Sequence, residues 1–287
     1  MAYNTGTSPT LAELITAKFI PQTYSKNVIM HTKSNLVVAD SVNHEWQDDL
    51  QYGSVVNISA FNEGSDTEVT PGTEPTPVDS AGTPASLTVN KWRQITHEIS
   101  KMSKIQSFAD YFGKAAKSQS YTLAKRVDTD LGALFSALSS SSVYGAQGQT
   151  MTDEIILAIM ETLDEADVPE ENRVIIGDPS MRVDMLQIDK FVRMDYQREA
   201  VVSKGKIGDI YNMPVRITNN LTAVSSGTGH YGAMLQREAL ALAIQANPSS
   251  QVIPMPWKFI TRITTDVIYG VGQIRTTFGK SFYTRKS

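Results

Sequence analysis

Two stretches near the start of the chain alternate apolar and polar positions with the period of a β-strand. The first runs from Val55 through Ile58 to Phe61, and the second runs from Leu87 to Ile99. Alternation with a period of two is typical of a strand with one buried face and one wet face. Two such runs in succession predict an antiparallel hairpin whose tip is residues 62–85.

This tip, NEGSDTEVTPGTEPTPVDSAGTPA, is rich in acids and prolines and contains no Lys or Arg. Its acids are Glu63, Asp66, Glu68, Glu74 and Asp79. Ordering a residue costs roughly 1–2 kcal/mol of backbone entropy, and the tip has little apolar surface to offset that cost. The tip is therefore either disordered or lies on another molecule, and we favour the second reading.

A longer pattern follows between Phe108 and Ser140, where apolar residues recur at steps of three and four. This spacing predicts an amphipathic helix, which at 1.5 Å per residue would be about 50 Å long. Gly113 and Gly132 weaken the helix at two points, yet the apolar stripe continues past both.

Helices and strands alternate in the second half of the chain. Thr152 can cap a helix, Val174–Ile176 reads as a buried strand, and Pro179 can open the next helix. The alternation predicts an α/β lobe between residues 151 and 250. The last part of the chain reads as two strands around a glycine turn at Gly270–Gly272, with Ile263, Val267 and Tyr269 on one face.

Composition narrows the function classes. The chain has 287 residues, a formal charge of −4 and no cysteine. The charge gives no global basic field that would draw the protein to nucleic acid or to an anionic membrane. The lack of cysteine removes disulfides, thiolate catalysis and cysteine-bound metals. No apolar run approaches the length of a membrane helix, so we expect a soluble protein that is intracellular when made.

The sequence offers no catalytic, cofactor-binding or metal-binding residues. The four histidines lack metal-ligand spacing, and neither a nucleophile elbow nor a phosphate-binding loop is present. Asp128 and Asp130 would point about 200° apart on a helix, so we expect them on a solvated or intersubunit face. We expect Met255 and Trp257 to be packing residues. The chain is therefore not expected to be an enzyme.

The order of these parts resembles the major capsid protein of tailed bacteriophages, which has the Hong Kong 97-type fold. The resemblance covers essentially the whole chain and is carried by LVVADSVNHEWQDDLQYGSVVNIS, AKRVDTDL, GKIGDIYNMPVRITNNL, REALALA and TDVIYGVGQIR. It implies an α+β chain with five parts. These are an N-terminal arm and lead-in at 1–46, an extended β-hairpin loop at 47–98, a peripheral domain with a spine helix at 99–150, an axial domain at 151–252, and closing strands of the peripheral domain at 253–287.

The resemblance also implies a function. A capsid protein of this family assembles through pentamers and hexamers into an icosahedral shell that encloses double-stranded phage DNA. The implied partners are other copies of the chain, a portal protein, a separate scaffolding protein, a decoration protein as a further candidate, and DNA contacted non-specifically. The implied location is the virion capsid, assembled in the host bacterial cytoplasm, with no membrane partner and no cofactor.

Two details of this sequence differ from the pattern that is common in the family. Relatives commonly have a further glycine where this chain has Asn212, a residue type that tolerates positive φ. Some relatives crosslink their loops through a lysine, and the lysine-free tip argues against that chemistry here. Three alternatives stay open: an encapsulin-like nanocompartment shell, a tail or adaptor protein of the virion, and an enzyme whose site is assembled from distant residues.

The acidic tip also predicts a subunit interface. We expect the ribbon from Gln47 to Glu98 to lie across a neighbouring subunit, which would bury its apolar face. The five tip acids would then meet a basic patch. The candidate lysines of that patch are Lys101, Lys104, Lys114 and Lys117.

Overall fold

The computed structural model describes residues 37–49, 53–59, 84–106, 111–138, 143–188, 209–224 and 227–285, with isolated positions between 60 and 84. The predicted arm before residue 37 and the predicted strand end at Phe61 lie outside the described residues.

Helices and strands in the described residues form an α+β fold, which confirms the predicted class. The helices are α1 (Lys101–Gln106), α2 (Tyr111–Gly132), α3 (Asp153–Glu165) and α4 (Pro179–Gln187). The strands are β1 (Val55–Ile58), β2 (Ala85–Thr88), β3 (Lys91–Ser100), β4 (Arg173–Gly177), β5 (Asp209–Ile210), β6 (Met213–Ile217), β7 (Gly229–Gln236), β8 (Leu240–Met255), β9 (Ile260–Gln273) and β10 (Gly279–Arg285).

The longest strands form an antiparallel sheet in the order β3–β9–β8. The face of β9 that packs toward α2 carries Ile263, Val267 and Tyr269, which are all buried, as their predicted common phase requires. Leu123 and Val127 of α2 are buried on the opposite side of this contact. The three-stranded sheet and α2 thus bury each other's apolar faces, which neither could do alone.

A second sheet has the strand order β10–β7–β4–β6–β5 in the described residues. Here β4 and β6 are parallel, while β4 and β10 each pair antiparallel with β7. α3 packs on it through Ile156, Ile159 and Leu163, which join a core with Met181 and Met185 of α4. The predicted boundary at 252/253 does not follow this pairing, because β8 belongs to the first sheet and β10 belongs to the second.

The predicted long helix is present as α2, and a 3-10 turn at Ala133–Ala137 continues it. The backbone hydrogen-bonding pattern changes from α-helical to 3-10 directly after Gly132. A Cβ at that position would lie 3.2 Å from the carbonyl oxygen of Asn220, so glycine there permits a close approach of the 220 segment.

The predicted glycine turn at Gly270–Gly272 is wrong, because β9 runs straight through it to Gln273. The chain reverses later, around a 3-10 turn at Thr276–Phe278. Gly270 has a packing reason instead: a Cβ there would overlap the carbonyl group of Thr88, where β2 crosses β9. A small residue in a strand can mark a close approach of another backbone as well as a turn.

The local predictions for α3 and α4 have different outcomes. Thr152 stands at the N-cap of α3 but makes no side-chain cap hydrogen bond. Pro179 opens α4 as predicted, and the carboxylate of Asp178 accepts the cap hydrogen bond from the backbone N–H of Met181 at 3.1 Å. Tyr211 and Asn212 form the two-residue turn between β5 and β6 with φ of 49° and 61°, and Asn is among the residue types that tolerate positive φ.

Candidate functional site: exposed surfaces and the buried carboxylates behind them

The predicted hairpin exists, but it is shorter than residues 47–98. β1 and β2 pair antiparallel from Val55 opposite Thr88 to Ile58 opposite Ala85. β3 does not continue this pair, since it pairs along its whole length with β9 of the same chain. Leu87 and Val89 are buried against Ala241 and Ala243. We expected a neighbouring subunit to bury the apolar face of the ribbon. This expectation is wrong for Leu87 and Val89, which are buried by their own chain.

The predicted interface residues belong to the acidic tip and to the helices α1 and α2. Asp66, Glu68 and Glu74 are exposed, while Glu63 and Asp79 lie outside the described residues. Lys101 and Lys104 are exposed on α1, Lys117 is exposed on α2, and Lys114 is half-buried there. Within the described part of one chain, no ion pair joins Asp66, Glu68 or Glu74 to Lys101, Lys114 or Lys117. Their pairing stays a prediction about two copies.

An exposed apolar cluster lies where the three-stranded sheet meets α1, and sequence reasoning missed it. Its members are Met102, Ile105, Trp257 and Phe259, which are 68%, 75%, 74% and 70% exposed. The prediction that Trp257 is a packing residue is wrong within this chain. The signal was available in the sequence, since the turn between β8 and β9 reads Pro-Trp-Lys-Phe where polar residues would be expected.

The backbone fixes this cluster, which we call the apolar end. Phe259 follows the 3-10 turn Pro256–Lys258 and has φ of 54°. Its carbonyl oxygen accepts a 2.8 Å hydrogen bond from the backbone N–H of Lys101, the first residue of α1. Between them is an open groove of about 440 Å³, lined by Ser100, Lys101, Met102, Ile105, Lys258 and Phe259.

Asp128 is buried and tied to two other segments, so its expected place on a solvated or intersubunit face is wrong. Its carboxylate accepts hydrogen bonds from the backbone N–H groups of Val38 at 2.8 Å and Ala39 at 3.0 Å. The amide of Asn220 donates a third bond at 2.9 Å. A buried carboxylate needs such partners, so this one fixes the start of the described chain and the 220 segment to α2.

Asp130 is also buried, and it was also expected on a solvated or intersubunit face. Its carboxylate accepts a 2.7 Å hydrogen bond from the Tyr269 hydroxyl and forms ion pairs with Lys91 at 3.0 Å and Arg126 at 3.1 Å. Burial alone would raise the pKa of Asp130, but the bonds from Tyr269 and Lys91 and the nearby positive charges outweigh burial, and its pKa lies below the ordinary value. Burial and the Asp130 charge raise the pKa of Tyr269 to about 12.

The described histidines have structural partners. The ring of His44 bonds the carbonyl oxygen of Ala39, His97 bonds the side chain of Gln119, and His230 lies 3.3 Å from the carboxylate of Asp178. No group of residues in the described ranges could hold a metal ion. No helix among the described elements has the length and apolar character to cross a membrane.

Comparisons with known proteins give matches of structure rather than of sequence. No family model matches the chain, and no curated protein matches it. A chain from Mycobacterium phage Che8 superposes with a TM-score of 0.79 at 19% identity, covering 92% of this chain and 97% of that chain. The capsid structure of cyanophage P-SCSP1u gives 0.75 at 14% identity, covering 100% and 97%.

The mature capsid of bacteriophage PhiM1 provides a further match, with a TM-score of 0.71 at 14% identity and coverage of 92% and 91%. At such low identity the likeness establishes the fold alone. The chain therefore has the fold of phage capsid proteins over essentially its whole length, which confirms the fold that the sequence resemblance implies.

Proposed function

We propose that this chain is the major capsid protein of a tailed bacteriophage. It assembles through pentamers and hexamers into an icosahedral shell around double-stranded DNA. The observation that carries the proposal is the end-to-end structural match to chains of two phage capsids, at TM-scores of 0.75 and 0.71.

The rest of the structure supports a structural, non-enzymatic role. Within the described residues, the buried carboxylates of Asp128 and Asp130 are saturated by partners of their own chain, so neither is available to a substrate. In contrast, large apolar side chains remain on the surface at the apolar end. Buried carboxylates that have partners within their own chain, together with large apolar side chains left on the surface, favour a protein that makes contacts with other proteins.

In this proposal the two sheets correspond to the two body domains of the resemblance. The three-stranded sheet with α2 is the peripheral domain, and the five-stranded sheet with α3 and α4 is the axial domain. In this assignment, β8 belongs to the peripheral domain and β10 belongs to the axial domain, because each strand is counted with the sheet in which it pairs. In the assembled shell, the acidic tip between β1 and β2 reaches a neighbouring subunit.

The partners follow from the same proposal. They are other copies of the chain, a portal protein, a separate scaffolding protein and packaged DNA that is contacted non-specifically, with a decoration protein as a further candidate. The protein is assembled in the host bacterial cytoplasm and ends in the virion capsid. Since each subunit has several neighbours in a closed shell, individually weak contacts add to a stable particle.

Electron microscopy of the purified recombinant protein, expressed alone and with a scaffolding protein, tests the proposal. We expect closed icosahedral shells or free pentamers and hexamers. Shells that copurify with an enzyme cargo would indicate a nanocompartment, and rings or tubes without closed shells would indicate a tail or adaptor protein. Either result would overturn the proposal.

A deletion tests the role of the acidic segment within it. Removal of residues 64–84 leaves both sheets and α2 intact, because this segment lies beyond the ends of β1 and β2. We expect a folded subunit that fails to close shells. Normal particles from the deletion variant would refute a role for the segment in assembly.

A further inference from the structure

The cationic residues are unevenly distributed along the chain. Between residues 101 and 127 the sequence has a single acid, Asp110, and six cationic residues, which are Lys101, Lys104, Lys114, Lys117, Lys125 and Arg126. Residues 153–172, which include α3, contain eight acids and no Lys or Arg. The formal charge of −4 is therefore the sum of a basic region and an acidic region. A negative net charge of this kind is compatible with an anionic partner on the basic surface.

Three of these lysines form one row along α2, which we call the lysine row (Lys114, Lys117 and Lys125). Lys114 and Lys125 are separated by 11 positions, so their side chains leave the helix about 20° apart around its axis and about 17 Å apart along it. Lys117 lies about 60° to one side. Leu123, which is buried in the core with Val267 of β9, lies about 180° from Lys114. The lysine row is therefore on the face of α2 that points away from the sheet.

No described acid pairs with the lysine row. Lys117 and Lys125 are exposed and Lys114 is half-buried, and none of the three forms an ion pair with another described residue. Lys114 and Lys117 also repel each other, because residues three apart are neighbours on a helix surface. A partner with negative charge would relieve this repulsion.

The acids of α2 and of the sheet that it packs against do not offset the row. Asp128 and Asp130 are buried, and their carboxylates are occupied by the partners described above. Asp266 lies on the opposite face of the sheet, because it precedes Val267, which is buried toward α2. Glu98 lies on that opposite face too, since its register partner on β9 is an even number of residues from Asp266. The α2 side of the domain is thus its more basic side.

The residues beside the lysines indicate the class of partner. Ser118 and Thr122 are exposed next to the row and Tyr121 is half-buried within it, while no large apolar side chain among the described residues of α2 is exposed. Interfaces between proteins are depleted in Lys and centred on apolar and aromatic side chains. Contacts to phosphate are instead made by Lys, Ser, Thr and Tyr. The row therefore suits phosphate groups better than a protein surface.

We propose that the lysine row of α2 binds the phosphate backbone of double-stranded DNA without reading its sequence. DNA carries one negative charge per about 1.7 Å of its axis, so a row of about 17 Å meets several phosphates in any register. This inference rests on the proposed function, in which the shell encloses DNA, and it adds the residues that contact the DNA. It places the exposed face of α2 on the inner surface of the shell. Lys114 and Lys117, which were predicted to meet the acidic tip, contact DNA instead.

Removal of the charges tests the contact. The triple variant Lys114→Gln with Lys117→Gln and Lys125→Gln removes the row and keeps good helix formers in α2. Fluorescence anisotropy of a short duplex of random sequence measures binding to the unassembled protein as a function of salt. The slope of log K against log salt concentration should fall by about 0.9 for each lysine that contacts a phosphate. For three contacts, wild type should lose about fortyfold more affinity than the variant between about 50 and about 200 mM salt.

Two controls separate the lysine row from the net charge. Arg at the same three positions keeps the charge, so this variant should bind the duplex as wild type does. The variant Arg182→Gln with Lys258→Gln and Lys280→Gln removes three charges from other elements, and it should also keep wild-type binding. Three results would overturn the inference: wild-type protein that does not bind the duplex, unchanged binding by the glutamine variant of the row, or an equal loss in the second control.

Assembly distinguishes DNA from a protein partner. Without DNA, the glutamine variant of the row should form particles as wild type does, and closed wild-type shells should not bind duplex added from outside. Failure of this variant to assemble would show that the row contacts another subunit, and binding of external duplex through the row would place it on the outer surface. Either result would overturn the inference and leave the capsid function standing. If wild-type protein forms neither shells nor capsomers, the proposed function itself fails.

Discussion

The hydroxyl of Tyr269 in the centre of β9 donates a 2.7 Å hydrogen bond to the carboxylate of Asp130 on α2. The two residues are 139 positions apart in sequence, and both are buried. Their bond joins the sheet and the helix at the same place where Lys91 of β3 pairs with Asp130. Three elements that are distant in sequence therefore meet at one carboxylate.

Substituting Tyr269→Phe should destabilise the subunit. The ring would still fill its site, but Asp130 would keep its burial and lose one donor, which costs about 1–3 kcal/mol. Urea unfolding of the subunit measures this loss. Tyr211→Phe is the matched control, because the Tyr211 hydroxyl also donates to a carboxylate, that of Asp153, but does so on the surface. Equal losses in both variants would contradict the argument from burial.

Stability should fall in acid in a way that depends on the same pair. The pKa of Asp130 in the folded protein lies below its ordinary value, so its contribution is fully present above the unfolded-state pKa near 4. The contribution is lost as the pH falls through the lower folded-state pKa. Tyr269→Phe removes one cause of the lowered pKa, so this variant should lose less stability than wild type between pH 5 and 3. Parallel curves of unfolding free energy against pH would count against the assignment.

Substituting Asp128→Asn should loosen the segment that contains Val38 and Ala39. An amide in place of the carboxylate can turn at most one oxygen to the three donors from Val38, Ala39 and Asn220, so at least one buried donor loses its partner. We expect a cost of about 2–4 kcal/mol and faster hydrogen exchange at the N–H groups of Val38 and Ala39. Asp209→Asn on the surface should change neither quantity. Unchanged exchange at residues 38 and 39 would show that Asp128 does not hold this segment.

Substituting Gly270→Ala should displace β2 from β9. The new methyl group would overlap the Thr88 carbonyl, which is backbone and cannot rotate away, and such overpacking costs about 1–3 kcal/mol. In Gly272→Ala the nearest atom is the end of the Leu87 side chain at 3.0 Å, which can shift. The unfolding temperature should therefore fall more for Gly270→Ala than for Gly272→Ala. An equal decrease in both variants would contradict the crossing of β2 over β9.

Much of the fold follows from local patterns in the sequence. The steps of three and four in α2, the alternation in β9 and the proline that opens α4 depend on neighbouring residues only, and each predicted its element. The hairpin β1–β2 was predicted for the same reason. These features identify the elements but do not determine which strand lies beside which.

The wrong predictions concern contacts between distant residues. A glycine pair reads as a turn unless it is known that β2 crosses there, and Asp128 and Asp130 read as surface residues unless their partners at positions 38, 220 and 269 are known. The same holds for the candidate interface. Composition indicated the acidic segment, but only the structure showed that Phe259 lies beside Lys101.

Sedimentation velocity of the wild-type protein across a wide concentration range tests the central claim most directly. A shell-forming subunit should appear as closed particles, or as capsomers of five or six subunits that grow into particles when scaffolding protein is added. A single monomeric species at every concentration, with and without scaffolding protein, would contradict the account.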